Sequence, residues 1–496
     1  MKGRKIVSTL LALLLLASLP VSALAADWDI SNGDITVNAG SGGQTVTQGS
    51  QVDVPDSAPV ITGSSQENTV TINAEKDQTA SVTLSGVNID VSGKSKAAVS
   101  TNGEGNVSIE LNGENKLKSG EGHAGLEKNN GGSLTIVDEN KNGKLTAEGG
   151  KYGAGIGGGN KGNGDNITIS GGEVKATGGN YGAGIGGGYE GEGSNIAITG
   201  GEVEATGGIG GAGIGGGKNG AGSSIAISGG EVKATGGKYG AGVGGGLSGN
   251  GNHITITGGE VKATGGLNGA GIGGGLWGKG KDITVSGDAK LKVQGGGEDD
   301  YDGAGASIGD GGSRQKGSTG ENPIPGAEVE PDTSGLTTNG KIEYYAPGAD
   351  MEKVEPKKTT VGTLPPPENP VEPIEPAEPE QPEAERGAAA PLYRVTDRDG
   401  RDIACTAEQK GGVLTVTVDA DFAVLTGSLS GMTALRAQGV EKIVFVTKGA
   451  TSAFMLSDLL GKGEGGEAYR LTHDGKAVTF TLGEKMTDVS AILTKP

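Results

Sequence analysis

The chain of 496 residues has one cysteine, three histidines and only 3% aromatic residues, and each shortage removes a class of function. Cys405 alone can form no internal disulfide and no cysteine-ligated zinc site, which needs two or more thiolates. His123, His253 and His473 lie far apart and show no metal-ligand spacing. No arginine occurs between Arg4 and Arg314, so the strong base that lyase chemistry on uronates usually uses is missing from that stretch. No proline occurs between Pro59 and Pro323, and all four phenylalanines lie beyond Leu392. The chain therefore divides into parts of different chemistry.

Glycine, by contrast, is abundant, with 102 residues. The string GAGIGGG starts at Gly153 and returns at Gly182, Gly211, Gly240 (as GAGVGGG) and Gly269, always 29 residues on. A fixed period of this size marks a stacked repeat architecture. One repeat, Asn166 to Ser194, holds three runs in which apolar and polar residues alternate: Asn166–Ser170, Glu173–Thr177 and Gly182–Gly186. Alternation over about five residues is the signal of a half-buried strand, and the glycine pairs between runs mark bends. Helix is disfavoured, because glycine costs roughly 1 kcal/mol per residue against alanine there.

Three strands and three corners make one coil, so the expected fold is all-β: a right-handed parallel β-solenoid with inward columns led by Ile167, Ile169, Val174 and Ile185. Looser spacing upstream extends it to roughly nine coils between Asp27 and Gly312, at about 4.8 Å per coil.

The N-terminus reads as a secretory signal over residues 1–25. Lys2, Arg4 and Lys5 are its charged region, Ile6 to Leu19 its apolar core, and Ala23-Leu24-Ala25 its small-x-small cleavage site. The apolar core is shorter than the span of about 20 residues that a membrane requires, so no membrane insertion is expected after cleavage. Cleavage leaves 38 basic against 60 acidic residues, a net charge of −22. That balance excludes nucleic acid as a partner.

The solenoid is expected over 26–318, followed over 319–391 by a linker rich in proline and glutamate with a capping hairpin near 335–346. Prolines at every third position from Pro370 to Pro382, interleaved with glutamates, have the polyproline II period of an extended spacer. Residues 392–496 carry a mixed apolar core and read as a small α+β domain. Strands are expected at Val413–Val418, Lys442–Thr447 and Ala477–Leu482, and helices at Met432–Gln438 and Ser452–Leu460.

No catalytic constellation emerges, and none is expected. Each Gly-x-Gly-x-x-Gly string is explained by a coil bend and precedes no helix. The carboxylates Glu173, Glu202, Glu231 and Glu260 form a ladder rather than a unique acid–base pair. Repetition suits binding better. Tyr152 and Tyr181 occupy the same corner on successive coils and Tyr239 recurs two coils on, which makes these three the candidate glycan-binding residues by stacking on sugar faces. Asp299, Asp300 and Asp302 crowd a glycine-rich loop and are the candidate calcium ligands; the plainer alternative is a solvated acidic corner that ends the stack.

The runs VTLSGVNIDVSGKSKAAVS and VSIELNGENKLKSGEGHAGLEKNNGGSLTIVDENKNGKLTAEGG, leading into YGAGIGGG, resemble secreted and cell-surface proteins of Gram-positive gut-type bacteria. Those proteins carry β-helical modules described as carbohydrate-binding domains, related to a polygalacturonate-binding, calcium-containing family. The resemblance covers about Val70 to Gly297, and no ligand residue of the family maps onto a numbered position here. It implies a secreted or cell-surface, non-catalytic protein whose partner is a polysaccharide or glycoconjugate. The alternative is a structural stalk or adhesin that meets a cell-surface protein, with polysaccharide lyase or hydrolase activity a distant third. An LPxTG-type sorting signal is absent from the sequence read.

Overall fold

The computed structural model describes residues 26–317, 320–363, 393–398, 403, 405–410, 412–437, 440–460, 468–475, 477–482, 487–488 and 493. The expected leader and the proline ladder lie outside the described residues. Two compact units divide the chain, Met1–Val371 and Glu372–Pro496.

The first unit is a parallel β-solenoid. One wall stacks ten strands, from Asp27–Asp29 to Gly280–Val285. A second wall runs in parallel from Ser64–Ser65 to Lys341–Tyr345, and a third from Ile35–Gly40 to Ile308–Gly309. Among the described residues each wall thus has ten parallel strands, one more than the roughly nine coils expected, and on the second wall the tenth is Lys341–Tyr345, paired with Lys290–Gln294.

The columns are those the repeat dictates. Ile167 pairs in register with Ile196, Ile196 with Ile225, Ile225 with Ile254 and Ile254 with Ile283. Val174, Val203, Val232 and Val261 do the same on the second wall. All are buried, whereas Glu173 and Lys175 between them are exposed. Identical β-branched side chains therefore pack on themselves from rung to rung, and this apolar interior holds the stack together.

The third wall departs from expectation in length. From Ile156–Gly157 onward its strands are two residues long, as at Ile185–Gly186, rather than five. Gly186 explains the contraction: at φ +129° it turns the chain out of the strand, and a Cβ there would be driven into the carbonyl oxygen of Gly215.

Two further corner ladders run through left-handed backbone. Asn166, Asn195, Ser224, His253 and Asp282 have φ between 52° and 56°. Short polar side chains tolerate this region, which explains the residue types at a position that otherwise varies. Lys161, Glu190, Asn219, Ser248 and Trp277 form the second ladder, with φ between 58° and 67°.

Both ends of the stack are covered. At the start, Gly43–Gln48 and Gln51–Pro55 add two antiparallel strands beside Ile35–Gly40. At the far end the hairpin expected near 335–346 is instead one strand, Lys341–Tyr345, whose antiparallel partner is Lys358–Val361. Leu336, Ile342 and Tyr344 belong to the solenoid core, so the packed unit continues past the expected boundary at 318. Hydrophobic residues at these positions are widely spaced among prolines and charges, which is why the segment reads as linker.

Among the described residues the second unit is mostly β: a five-stranded and a four-stranded sheet with two short helices, Leu429–Ala437 and Leu456–Leu460. The three expected strands occur at Val413–Thr417, Lys442–Val446 and Ala477–Leu482. The helix expected from Ser452 is a strand, Thr451–Met455, as far as Met455, because Ala453 and Phe454 pair with Val444 and Ile443. Phe445, Phe454, Phe480 and Tyr469 form the core of this unit.

Candidate functional site

The bend that follows each second-wall strand is held by bonds from one coil to the next, as from Gly179 N–H to the Gly153 carbonyl at 3.0 Å. It also meets the loop that follows the third wall. Tyr189 N–H donates to the Tyr152 carbonyl and Lys218 N–H to the Tyr181 carbonyl, both at 2.8 Å. A residue in the bend thus meets one 37 positions later, as well as its equivalent 29 positions later.

This geometry gathers a cluster. Tyr152 and Tyr181 stack with centroids 5.6 Å apart and planes 25° from parallel. Tyr189 tilts against both, at 5.6 and 5.7 Å. Lys151 Nζ lies 4.8 Å from the centre of Tyr152, and Lys218 Nζ 4.8 Å from that of Tyr181. Gly210 occupies the next equivalent of the bend, and its lack of a side chain leaves room for Lys218, whose Cβ a methyl there would crowd at 2.8 Å. Glu190 bonds the Tyr189 hydroxyl and thereby raises its pKa, while bonds from Tyr189 and Lys161 hold Glu190 below the usual carboxylate range.

Of the three tyrosines named from sequence, two therefore come together and Tyr239 does not join them. Tyr239 sits two coils away under Lys238, whose ammonium is 4.7 Å from the ring centre. Tyr189 and Lys218 are additions that the 29-residue period alone does not reveal. The 37-residue relation depends on how two loops fold against each other.

In the acidic loop, two of the three aspartates meet groups of the protein itself. Asp299 Oδ1 accepts the N–H groups of Tyr301 and Asp302, and these bonds lower its pKa, the Asp302 one most. Asp302 Oδ1 accepts the indole N–H of Trp277 at 3.1 Å and lies 3.7 Å from Arg314 Nε. Asp300 is exposed. Among the described residues no group of three histidine, cysteine or acidic side chains is placed to hold a metal ion. Asp299, Asp300 and Asp302 fit a structural corner better than a ligand set, since two of the three already serve backbone, indole and guanidinium groups.

Two polar pairs resemble catalytic machinery in distance only. His123 Nδ1 is 2.9 Å from Glu127 Oε2, but Glu127 also accepts the Ala124 N–H and the Asn129 amide and is buried. Beside it, burial pushes the Lys128 amine down to about 8, and its Nζ donates to the Asn130 carbonyl. Ser452 Oγ is 2.9 Å from His473 Nε2, yet both are buried and Thr447 Oγ1, not a carboxylate, meets the other ring nitrogen. A nucleophile needs access to substrate, which the buried Ser452–His473 pair lacks, and the half-buried His123 faces a carboxylate already engaged by Ala124 and Asn129. His253 is exposed, beside Asp282 at 3.4 Å.

Five segments, 141–160, 167–189, 196–218, 225–247 and 254–276, match the model of a beta helix repeat family. That family holds both enzymes and non-enzymes. No curated protein and no solved structure matches the chain.

Proposed function

We propose that this is a secreted, non-catalytic surface protein whose solenoid binds extracellular glycan at the Tyr152–Tyr181–Tyr189 corner. The observation that carries the reading is the clustering of three partly exposed tyrosines and two lysines at one bend of an otherwise repeating surface. Aromatic faces take the apolar C–H side of a sugar ring, while phenol and ammonium groups donate to its hydroxyl or carboxylate oxygens. The overall charge of −22 after cleavage opposes polyuronates, so a neutral glycan, or an acidic one held locally by Lys151 and Lys218, is the favoured ligand class.

The test is a glycan array with the chain from Ala26 onward, run with calcium and with a chelator. Binding that disappears in a Tyr152→Ala, Tyr181→Ala double variant of unchanged melting temperature supports the corner. Absence of binding to every glycan overturns it and favours a stalk or adhesin. One observation supports that second reading: Glu204 is paired with Lys175 and Lys233 on its neighbouring coils, so part of the charged ladder is spent within the stack.

A further inference from the structure

We infer that hydrolysis of the Ala25–Ala26 bond delivers an α-ammonium to the buried carboxylate of Asp56, so that removal of the leader completes the seal at the first rung of the solenoid. The starting observation is a buried acid whose donors among the described residues are all neutral. Asp56 is 1% exposed. Its Oδ2 accepts the Trp28 indole N–H at 2.9 Å and the Ala26 backbone N–H at 3.2 Å, and its Oδ1 accepts the Ala58 N–H at 3.1 Å. A carboxylate out of water is stabilised far better by a cation than by neutral donors alone.

The sequence supplies that cation at one place. Ala23-Leu24-Ala25 is a small-x-small site after an apolar run, and cleavage behind it makes Ala26 the first residue. The nitrogen thus freed is the one already within hydrogen-bond distance of Asp56. An endopeptidase of the class that removes export leaders adds water across the amide. The hydroxyl goes to the Ala25 carbonyl, which leaves as a carboxylate, and the Ala26 nitrogen takes the proton. An α-amine has an ordinary pKa of about 7.7–8.0 and is protonated at neutral pH.

Three parts of the fold converge on this carboxylate, which gives the pair leverage. The Ala26 carbonyl accepts the Val60 N–H at 3.0 Å, at the start of the pairing of Asp27–Asp29 with Val60–Thr62. Asp56 N–H donates to the Gln44 carbonyl at 3.0 Å, and the Gln44 side chain returns a bond to the Asp56 carbonyl at 3.1 Å. Gln44 belongs to the antiparallel strands that cover the end of the third wall. Chain start, first rung and end cover are therefore fastened at Asp56. Before cleavage the same position offers only an amide N–H.

The experiment compares three forms of the chain: starting at Ala26, starting at Ala25, and starting at N-acetylated Ala26, each also carrying Asp56→Asn. Retaining Ala25 or acetylating Ala26 should lower the Tm of the solenoid by a few degrees, on the order of 3 °C. The difference should vanish in the Asp56→Asn background. Equal Tm for the free and acetylated forms with Asp56 intact overturns the proposal. Should Asp56→Asn fail to fold, acylation of the α-amine at pH 7 replaces it as the readout. The ion pair predicts a rate on the order of tenfold slower in the folded chain than in urea, and equal rates overturn it. An exported chain whose mass shows a first residue other than Ala26 overturns it as well.

Discussion

Ile198 and Ile227 are register partners on successive rungs, and both are fully buried. Ile227 also pairs with Ile256 on the next rung, so its side chain has an identical neighbour above and below. A carboxylate at that point has no cation to meet and no water to reach. Ile227→Asp should therefore destabilise the solenoid by roughly 3–5 kcal/mol or prevent folding, whereas Ile227→Val should cost about 1 kcal/mol. Thermal unfolding of both variants checks this; an unchanged Tm for the aspartate variant contradicts the column model.

Such columns were legible because the period repeats them five times, and repetition distinguishes an inward position from chance alternation. The ends were less legible. Leu336 and Ile342 join the core singly, without a repeat to mark them, and so the far cover read as a capping hairpin within a linker rather than as a further rung. The candidate site was half legible. Tyr152 and Tyr181 share a repeat position, but Tyr189 reaches them through a contact between two different loops. In the second unit, Ser452 and Phe454 looked helical by local composition, and pairing with Phe445 and Ile443 overrides that preference.

Gly186 tests the close approach on the third wall. Its φ of +129° and the nearby Gly215 carbonyl leave no place for a side chain. Gly186→Ala should cost at least about 2 kcal/mol through backbone strain and displacement of the next coil. Gly42, where an added methyl would meet nothing within 4 Å, is the control, and Gly42→Ala should be nearly neutral. Equal denaturation midpoints for the two variants would remove the steric explanation for the glycine-rich wall.

Glu204 lies 3.1 Å from Lys175 and 2.6 Å from Lys233, on the coils either side. These groups are partly exposed, so each pair should contribute only about 0.2–1 kcal/mol. Glu204→Gln should accordingly lower stability slightly, and a double-mutant cycle with Lys233→Met should give a coupling of that size that shrinks in high salt. A coupling several times larger would mean that the charged ladder, rather than the buried columns, aligns the coils.

His473 gives the second unit a pH dependence of definite sign. The ring is fully buried against Phe445, at 4.7 Å between centroids, with Thr447 and Ser452 on its two nitrogens. Burial pushes its pKa down to about 4 from the usual 6.5. In the unfolded chain the same histidine takes up a proton near pH 6.5, so between about 6.5 and 4 the unfolded state holds more protons than the folded one. Stability is then complete above pH 6.5 and falls as the pH drops towards 4, by up to roughly 3 kcal/mol over that window. Below pH 4 this contribution stays lost without growing. Denaturant unfolding followed through the tyrosines of the second unit should show that slope, and His473→Gln, although less stable at pH 7, should flatten it. NMR titration of the ring gives an independent check: His473 should remain neutral at pH 5, although that lies below the ordinary histidine value of about 6.5. Titration of His473 near 6.5 would mean that the ring opens to water, and the predicted acid sensitivity of this unit would have no basis.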